Sequence, residues 1–225
     1  MIRSFLAIEL PKAILEKIGQ VQGDLKSSHA DVRWVIPEKI HLTLKFFGNI
    51  EEARIEPIIR AIESSIHDTQ VFSLGVKGIG AFPYWKNPRV IWMGLIDGKE
   101  ILISLQKQLE ADLERIGFEP EGRAFQPHLT LGRVNSSRGR EELIRRAERY
   151  REEEFGNISV DRVVLFKSDL RPTGPIYTPL REIKLGTWSF RTLEREGTVP
   201  NSKHEIRNSK QIQRTKKWNS KCSSY

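Results

Sequence analysis

Hydrophobic and polar residues follow two periods along this chain, one typical of strands and one typical of helices. Residues 4–9 form a mainly apolar stretch that predicts a first strand, and apolar residues at helical spacing follow Pro11. The remaining predicted elements alternate in type. Two further strands are predicted to begin at His41, ending at the Gly48-Asn49 turn, and at His128. The other strands are predicted at 71–79, 89–95, 158–167 and 175–184. Further helices are predicted at 51–65, after the Asp97-Gly98 turn and at 138–151.

The tetrapeptide His-Leu-Thr-Leu occurs twice, beginning at His41 and at His128. The two copies hold two of the five histidines of the chain. Given this composition, the probability of a chance repetition is on the order of one in a million. In a strand, alternate side chains share a face, so each histidine would lie beside the threonine two residues later. Each copy therefore predicts a strand with one polar His/Thr face and one apolar leucine face.

The side chains of this polar face are suited to displacement at a phosphodiester. Imidazole titrates near neutrality, so one histidine of a pair can accept a proton while the other donates one. The hydroxyls of Thr43 and Thr130 can donate hydrogen bonds to phosphate oxygens, although threonine is also a common strand residue. We therefore predict His41 and His128 as catalytic residues and Thr43 and Thr130 as phosphate ligands. This scheme requires no metal and no other cofactor.

Several residues beside the motifs have two interpretations. By alternation, Lys45 and Phe47 continue the polar face of the first motif, where they would contact a phosphate and a base or line the rim without contact. Arg133 falls on the opposite side from His128 unless the strand is bulged after Gly132. The other histidines are predicted to be structural. Four aromatic residues are predicted in the core or at the rim, where one could stack a nucleobase: Trp34, Trp85, Trp92 and Tyr177.

The composition is that of an ordinary soluble enzyme. Hydrophobic residues make up 38% of the chain, which suffices for a core, and no apolar run approaches the length of a membrane span. The first ten residues predict a strand and not a signal peptide. The single cysteine, Cys222, allows no intrachain disulfide and no cysteine-based metal cluster. A reducing cytoplasm is therefore the expected location.

The net charge of +8 is concentrated near the C-terminal end. Residues 187–225 hold nine Lys and Arg against three acidic residues, which contributes +6 and leaves +2 for residues 1–186. The segment is also rich in Ser and Asn, a composition that favours a solvated, disordered extension, with an RNA-tethering arm or a docked helix as alternatives. We therefore predict a folded body at 1–186 and a basic extension at 187–225.

The paired motifs resemble those of the 2H phosphoesterase superfamily, in particular its RNA 2′,3′-cyclic phosphodiesterases, also called 2′-5′ RNA ligases. The resemblance covers about residues 2–186. Other segments that carry it are Arg3 to Pro11, Arg33 to Val35, Lys45 to Gly48, Phe82-Pro83, Arg89 to Trp92, Phe125 to Val134, and Leu165 to Ser168 with Tyr177.

The resemblance implies an α+β fold of two lobes. Each lobe would be a small, mainly antiparallel sheet with outer helices, and the lobes would be related by a pseudo-two-fold axis with the motifs facing each other in a central cleft. The separation of 87 residues between His41 and His128 suits two half-domains of similar build. Alternating strands and helices would also permit a parallel doubly wound sheet, but such a sheet gives no reason for the same motif in both halves.

The resemblance also implies a function. His41 resembles the proton donor to the leaving 3′ oxygen and His128 the proton acceptor that activates water, while Thr43 and Thr130 would hold the phosphate. The expected reaction is hydrolysis of RNA or nucleoside 2′,3′-cyclic phosphates to 2′-phosphomonoesters, and its reverse would be 2′-5′ ligation. RNA 3′ ends or cyclic nucleotides are the expected partners of a monomer that binds no membrane. The alternative is an RNA-end or nucleotide-binding protein whose histidines have lost turnover.

Overall fold

The computed structural model describes residues 1–172 and 174–186, and the predicted basic extension at 187–225 lies outside them. This part of the chain forms nine strands and four α-helices. The strands are β1 (Ile2–Ile8), β2 (Val32–Trp34), β3 (Leu42–Ile50), β4 (Phe72–Phe82), β5 (Val90–Ile96), β6 (Leu129–Val134), β7 (Glu154–Val160), β8 (Arg162–Asp169) and β9 (Ile176–Lys184). The helices are α1 (Lys12–Lys26), α2 (Ile55–Ile66), α3 (Lys99–Arg115) and α4 (Arg140–Ala147).

The strands form two separate antiparallel sheets. The first sheet has the order β3-β1-β8-β9 and the second has the order β2-β6-β5-β4-β7. All pairings between neighbouring strands are antiparallel. The prediction of an α+β fold with two mainly antiparallel sheets is confirmed, and the alternative of a parallel doubly wound sheet is wrong. The first motif leads into β3 of the first sheet, and the second motif leads into β6 of the second sheet.

The two lobes are not consecutive halves of the chain, so the expectation of two half-domains is wrong in its connections. The chain starts in the first sheet with β1, crosses to the second sheet at β2 and returns at β3. It later places β4 to β7 in the second sheet and the last two strands in the first. Helices α2 and α3 pack on each other and α3 contacts β3, whereas α1 packs on α4 and β7. The first sheet therefore combines strands from both ends of the described chain, and β3 of the first sheet separates β2 in sequence from the other strands of the second sheet.

Several predicted element boundaries differ from the structure: the strand predicted at 71–79 continues to Phe82, and the α-helix predicted at 138–151 covers only Arg140–Ala147. Two further differences concern the strands near the motifs and at the end of the described chain. The single strand predicted at 158–167 is two strands, β7 and β8, which are separated at Asp161. The first motif strand does not end at the Gly48-Asn49 turn but continues to Ile50. It continues because Phe47 forms a bulge directly before Gly48, and the pairing of Gly48, Asn49 and Ile50 with β1 is kept. The short strand β2 was not predicted, since three residues are too few to show a period.

One large hydrophobic cluster joins the two sheets and the helices. It contains the leucines of both motifs, each at most 2% exposed: Leu42, Leu44, Leu129 and Leu131. A second, smaller cluster lies on the other face of the first sheet and consists of Phe5, Ala7, Val164 and Phe166, with Tyr177 packed against it. The apolar face of each motif strand is thus used for the common core, which leaves its polar face available. In the described part of the chain, no helix is long and apolar enough to span a membrane.

Candidate active site

Each motif histidine lies one residue before a strand, in the same backbone setting. Nδ1 of His41 lies 2.9 Å from the carbonyl oxygen of Lys39, and Nδ1 of His128 lies 2.6 Å from the carbonyl oxygen of Gln126. A carbonyl oxygen only accepts hydrogen bonds, so Nδ1 must carry the proton in both rings. Nε2 of each imidazole therefore remains to accept or donate the proton of a substrate. The sequence repeat is thus a structural repeat with the same tautomer in both copies.

An aromatic cluster surrounds the first histidine. The ring of Phe5 in β1 stacks on the imidazole of His41 at a centroid distance of 4.6 Å, and Tyr177 in β9 contacts it edge-on at 5.2 Å. Burial by these neighbours lowers the pKa of the His41 imidazole below its ordinary value, and the hydrogen bond to the Lys39 carbonyl opposes the shift. The cluster thus holds the ring in one orientation and favours its neutral form in the free protein.

The second histidine has a similar but more open surrounding. The ring of Phe82, at the end of β4, contacts His128 edge-on at 4.9 Å and also packs on Trp92 at 5.1 Å. Burial lowers the pKa of the His128 imidazole, the hydrogen bond to the Gln126 carbonyl opposes this, and the positive charge of Arg133 lowers the pKa further. Both histidines are therefore shifted in the same direction, and only His128 is shifted by a neighbouring cation.

The threonines occupy matching positions on the two sheets. Thr43 is directly opposite Ala7 of β1, and Thr130 is directly opposite Trp92 of β5. Opposite residues of antiparallel strands point to the same face. We call the side of the first sheet that carries Phe5, Ala7 and Thr43 the His41 face. The side of the second sheet that carries Thr130, Trp92 and Phe82 is called the His128 face. Alternation was predicted for all four residues of each motif. It is confirmed, because both leucines of each motif lie in the main core, on the side opposite to the threonine.

After Leu44, alternation fails in β3. The pairing with β1 slips between Thr43 and Lys45, so Leu44 and Lys45 together oppose Leu6 on the core side. Phe46 therefore points to the His41 face, opposite Phe5, and its side chain is 58% exposed. A second slip turns Phe47 into the core, where it packs edge-on against Phe118. The prediction that Lys45 and Phe47 continue the polar face is wrong, and Phe46 takes that place.

Lys45 instead anchors the segment that leads to the second motif. Its ammonium group, 4% exposed, lies 2.7 Å from Oε2 of Glu110 in α3 and donates to the carbonyl of Glu119 at 2.7 Å. The same Glu110 oxygen accepts the backbone N–H of Glu121 at 3.1 Å, and Gln106 donates to Oε1. A buried charge is tolerated only when it is paired and hydrogen-bonded, as here. The network therefore ties the strand of the first motif to the chain that precedes His128.

A bulge in β6 also changes the position of Arg133. The pairing with β5 slips between Ile91 and Trp92, so Leu131 is the extra residue and Arg133 comes to lie opposite Val90. Val90 and Trp92 share a face, so Arg133 points to the His128 face and shifts the pKa of His128. The sequence analysis considered a bulge after Gly132, whereas the observed bulge lies one residue before it. The effect is the same, because Arg133 comes to lie on the side of His128.

A glutamine connects the two motifs through the backbone. The amide nitrogen of Gln22 in α1 donates to the carbonyls of Val35 and Leu131 at 2.8 and 2.9 Å, and the N–H of Val35 also donates to Leu131. His41 is six positions after Val35 in the chain, and a 3-10 turn at Pro37–Lys39 shortens that connection. Even fully extended, six residues span at most roughly 20 Å. The first histidine is therefore tethered to the strand of the second.

The other candidates lie outside these two faces or at their edge. His67 is exposed and hydrogen-bonds Asp68, while His29 is exposed with a positive φ. Trp34 and Trp85 pack against the main core as predicted for aromatic residues there. The signals missed by sequence reasoning were Phe5 and Phe82, whose contacts with the histidines depend on neighbouring strands. Within residues 1–172 and 174–186, no three His, Cys, Asp or Glu side chains gather as metal ligands would.

Several curated proteins that share one name with each other are similar to this chain over most of its length. The RNA 2′,3′-cyclic phosphodiesterase of Methanothermobacter thermautotrophicus is 35% identical over 184 residues, which cover 82% of this chain and 99% of that protein. The protein of that name from Methanocaldococcus jannaschii is 35% identical over 180 residues, which cover 80% and 99%.

Solved structures share the fold. TT0787 of Thermus thermophilus superposes with a TM-score of 0.69 at 26% identity and covers 83% of this chain and 100% of that one. E. coli LigT complexed with 3′-AMP has a TM-score of 0.67 at 25% identity and covers 83% and 99%. The family model described as LigT like Phosphoesterase matches residues 8–92 and 96–177, and each stretch contains one motif. With both motifs inside the matched residues and in equivalent settings, this chain belongs to the LigT-like phosphoesterase family.

Proposed function

We propose that this protein hydrolyses 2′,3′-cyclic phosphates, at RNA 3′ ends or on nucleosides, to 2′-phosphomonoesters. The observation that carries the proposal is the pair of imidazoles with Nδ1 bound to a backbone carbonyl, which leaves two Nε2 atoms for proton transfer. The curated relatives named RNA 2′,3′-cyclic phosphodiesterases support the substrate class. The structure of E. coli LigT with 3′-AMP supports a nucleotide-sized site in this fold.

In the proposed mechanism the His41 face and the His128 face border one cleft. Nε2 of His128 takes a proton from water, and the water oxygen forms a bond to phosphorus in line with the bond to the 3′ oxygen. That bond breaks, and Nε2–H of His41 protonates the leaving 3′ oxygen. The hydroxyls of Thr43 and Thr130 donate hydrogen bonds to the non-bridging oxygens as negative charge builds up on them. The phosphate stays on the 2′ oxygen.

The same geometry also supports 2′-5′ ligation, in which the ring of the cyclic phosphate is opened by a different nucleophile. If a 5′ hydroxyl replaces water as the nucleophile, the equivalent steps join two RNA ends through a 2′-5′ linkage. All four proposed residues precede residue 187, so we propose that residues 1–186 form the catalytic domain and that the basic extension is not needed for turnover. Both histidines come from one chain, so a monomer is sufficient.

The proposal is tested by product analysis with 2′,3′-cyclic AMP. We expect 2′-AMP as the main product, because the leaving oxygen must lie opposite the attacking water and within reach of His41. Phosphorus NMR against authentic 2′-AMP and 3′-AMP distinguishes the two. The rate should be the same with and without EDTA, since the scheme uses only proton transfer and hydrogen bonds.

Three outcomes would contradict this proposal. A predominantly 3′-phosphate product would mean that the substrate binds in the opposite orientation, with the roles of His41 and His128 exchanged. Loss of activity in EDTA with recovery on adding a divalent ion would replace the two-histidine scheme by metal catalysis. Binding of the cyclic nucleotide without turnover would favour the alternative of an RNA-end or nucleotide-binding protein.

The neighbouring phenylalanines of β3 provide a matched pair for the base site. We propose that Phe46, exposed on the His41 face, stacks the nucleobase, whereas Phe47 is 9% exposed in the core. Base stacking on an aromatic side chain contributes about 1–3 kcal/mol. Phe46→Ala should therefore raise KM for cyclic AMP at least fivefold without changing the melting temperature. Phe47→Ala should instead lower the free energy of unfolding by about 3–5 kcal/mol. A normal KM in Phe46→Ala would exclude stacking at this position.

A further inference from the structure

An arginine pair lies at the edge of the second sheet, beyond the proposed phosphate site. Arg33 in the edge strand β2 is directly opposite Arg133 in β6. Side chains that are directly opposite on antiparallel strands have their Cβ atoms about 5 Å apart and point to the same face. Both residues are exposed. The side chains of Arg33 and Arg133 therefore leave the sheet next to each other, one from the edge strand and one from its neighbour.

The glycine between the motif and Arg133 shows which face the pair occupies. A Cβ atom on Gly132 would come within 2.7 Å of the side chain of Val32 and within 3.0 Å of that of Trp34, and both of these pack against the main core. The intervening residues, Arg33 and Arg133, therefore point away from the core. They lie on the His128 face, as the pairing of Arg133 with Val90 also requires.

The charges of this pair are not balanced by the protein. Like charges directly opposite on neighbouring strands destabilise a sheet. Among the described residues, neither guanidinium forms an ion pair with a carboxylate, although the same structure pairs many of its other arginines. Guanidinium groups bind phosphate oxygens through two parallel hydrogen bonds. An arrangement that costs stability in the free protein and lies on the face of His128 is suited to an anionic group of the substrate.

We propose that Arg33 and Arg133 bind an internucleotide phosphate of an RNA strand whose cyclic end lies at Thr130 and His128. Because Leu131 is bulged, Thr130 and Arg133 lie opposite Trp92 and Val90, two residues apart on β5, which is a distance of roughly 7 Å along the strand, and Arg33 lies one strand further out. Thr130 and Arg33 therefore serve different phosphates. The inference rests on the function proposed above and adds to it a preference for RNA ends over cyclic mononucleotides.

The test compares 2′,3′-cyclic AMP with a trinucleotide that ends in a 2′,3′-cyclic phosphate. Arg33→Gln should lower kcat/KM for the trinucleotide at least tenfold more than kcat/KM for cyclic AMP. The slope of log kcat/KM for the trinucleotide against log salt concentration should become shallower by about 0.7, the value for one lost contact to a single strand. Arg60→Gln is the matched control, because Arg60 is exposed on α2. This substitution should leave kcat/KM unchanged for both substrates.

The melting temperature separates binding from a structural role. Removal of one of two facing like charges should leave the melting temperature of Arg33→Gln equal to or above that of the wild type. An equal loss of kcat/KM for both substrates, or a normal kcat/KM for the trinucleotide, would overturn the proposal. If the wild type hydrolyses neither substrate, the proposed function fails by itself. In that case, fluorescence anisotropy with a trinucleotide that ends in a 3′-phosphate tests whether Arg33 and Arg133 bind an internucleotide phosphate. Arg33→Gln must then lower the affinity for this trinucleotide at least tenfold.

Discussion

Replacement of His41 or His128 by alanine is expected to lower kcat for 2′,3′-cyclic AMP by about 10²- to 10⁴-fold. Each substitution removes one of the two Nε2 atoms that we propose for proton transfer. The affinity for the nucleotide should change much less, since the threonines and the aromatic side chains remain. Steady-state rates combined with equilibrium binding of the product 2′-AMP separate the two effects.

Controls for this prediction come from the same chain. His67→Ala removes an exposed imidazole whose hydrogen bond is to Asp68, and it should leave kcat unchanged. Thr43→Ala and Thr130→Ala should cost less than the histidine substitutions, because each removes a single donor among several. Near-normal turnover in His41→Ala or His128→Ala would remove that histidine from the mechanism. Circular dichroism shows whether an alanine variant is folded. If it is not, the glutamine substitution at the same position separates loss of proton transfer from loss of the fold.

The pH dependence of kcat/KM should be bell-shaped, with its maximum on the acid side of about pH 6.5, the ordinary imidazole pKa. The free protein must hold His128 neutral and His41 protonated, and burial lowers the pKa of both imidazoles. The protonated fraction of His41 is therefore lost at a lower pH than for an exposed histidine. Above that pKa, kcat/KM should fall about tenfold per pH unit. The two limbs belong to the coupled pair.

The bound phosphate should shift this profile. Its negative charge favours the protonated imidazoles, so the limbs of kcat should lie at higher pH than those of kcat/KM. Arg133→Gln removes the cation that lowers the pKa of His128 and should move the acid limb of kcat/KM upward. Rates measured from pH 4.5 to about 9 at constant ionic strength test both shifts. A maximum above pH 7.5 for kcat/KM would contradict protonation of His41 in the free protein.

The sequence alone was sufficient where the signal is local. The repeat at His41 and His128 and the spacing of the leucines and threonines predicted two strands with one polar and one apolar face. Hydrophobic spacing also predicted all four helices, because an amphipathic helix needs only a few consecutive turns to bury its apolar side. The α+β fold class came from the resemblance, since strand and helix alternation by itself also permits a parallel sheet.

The sequence did not predict which side chains share a face beyond the threonines. The bulges in β3 and β6 arise from the pairing with neighbouring strands, and one extra residue moves every later side chain to the opposite face. They place Phe46 and Arg133 on the polar faces and send Lys45 to Glu110, results that alternation cannot show. The tertiary structure also decided the course of the chain between the lobes.

The sequence therefore identified the two histidines, and the fold determined the tautomer and the surroundings of each ring. The repeat identifies two imidazoles, but it does not show which ring nitrogen of each carries the proton. That choice was made by the carbonyls of Lys39 and Gln126, which can only accept a hydrogen bond and so hold the proton on Nδ1. Burial lowers the pKa of each ring. Phe5 and Phe82 are among the residues that contact the rings, and strand pairing brings them close although they are distant in the chain.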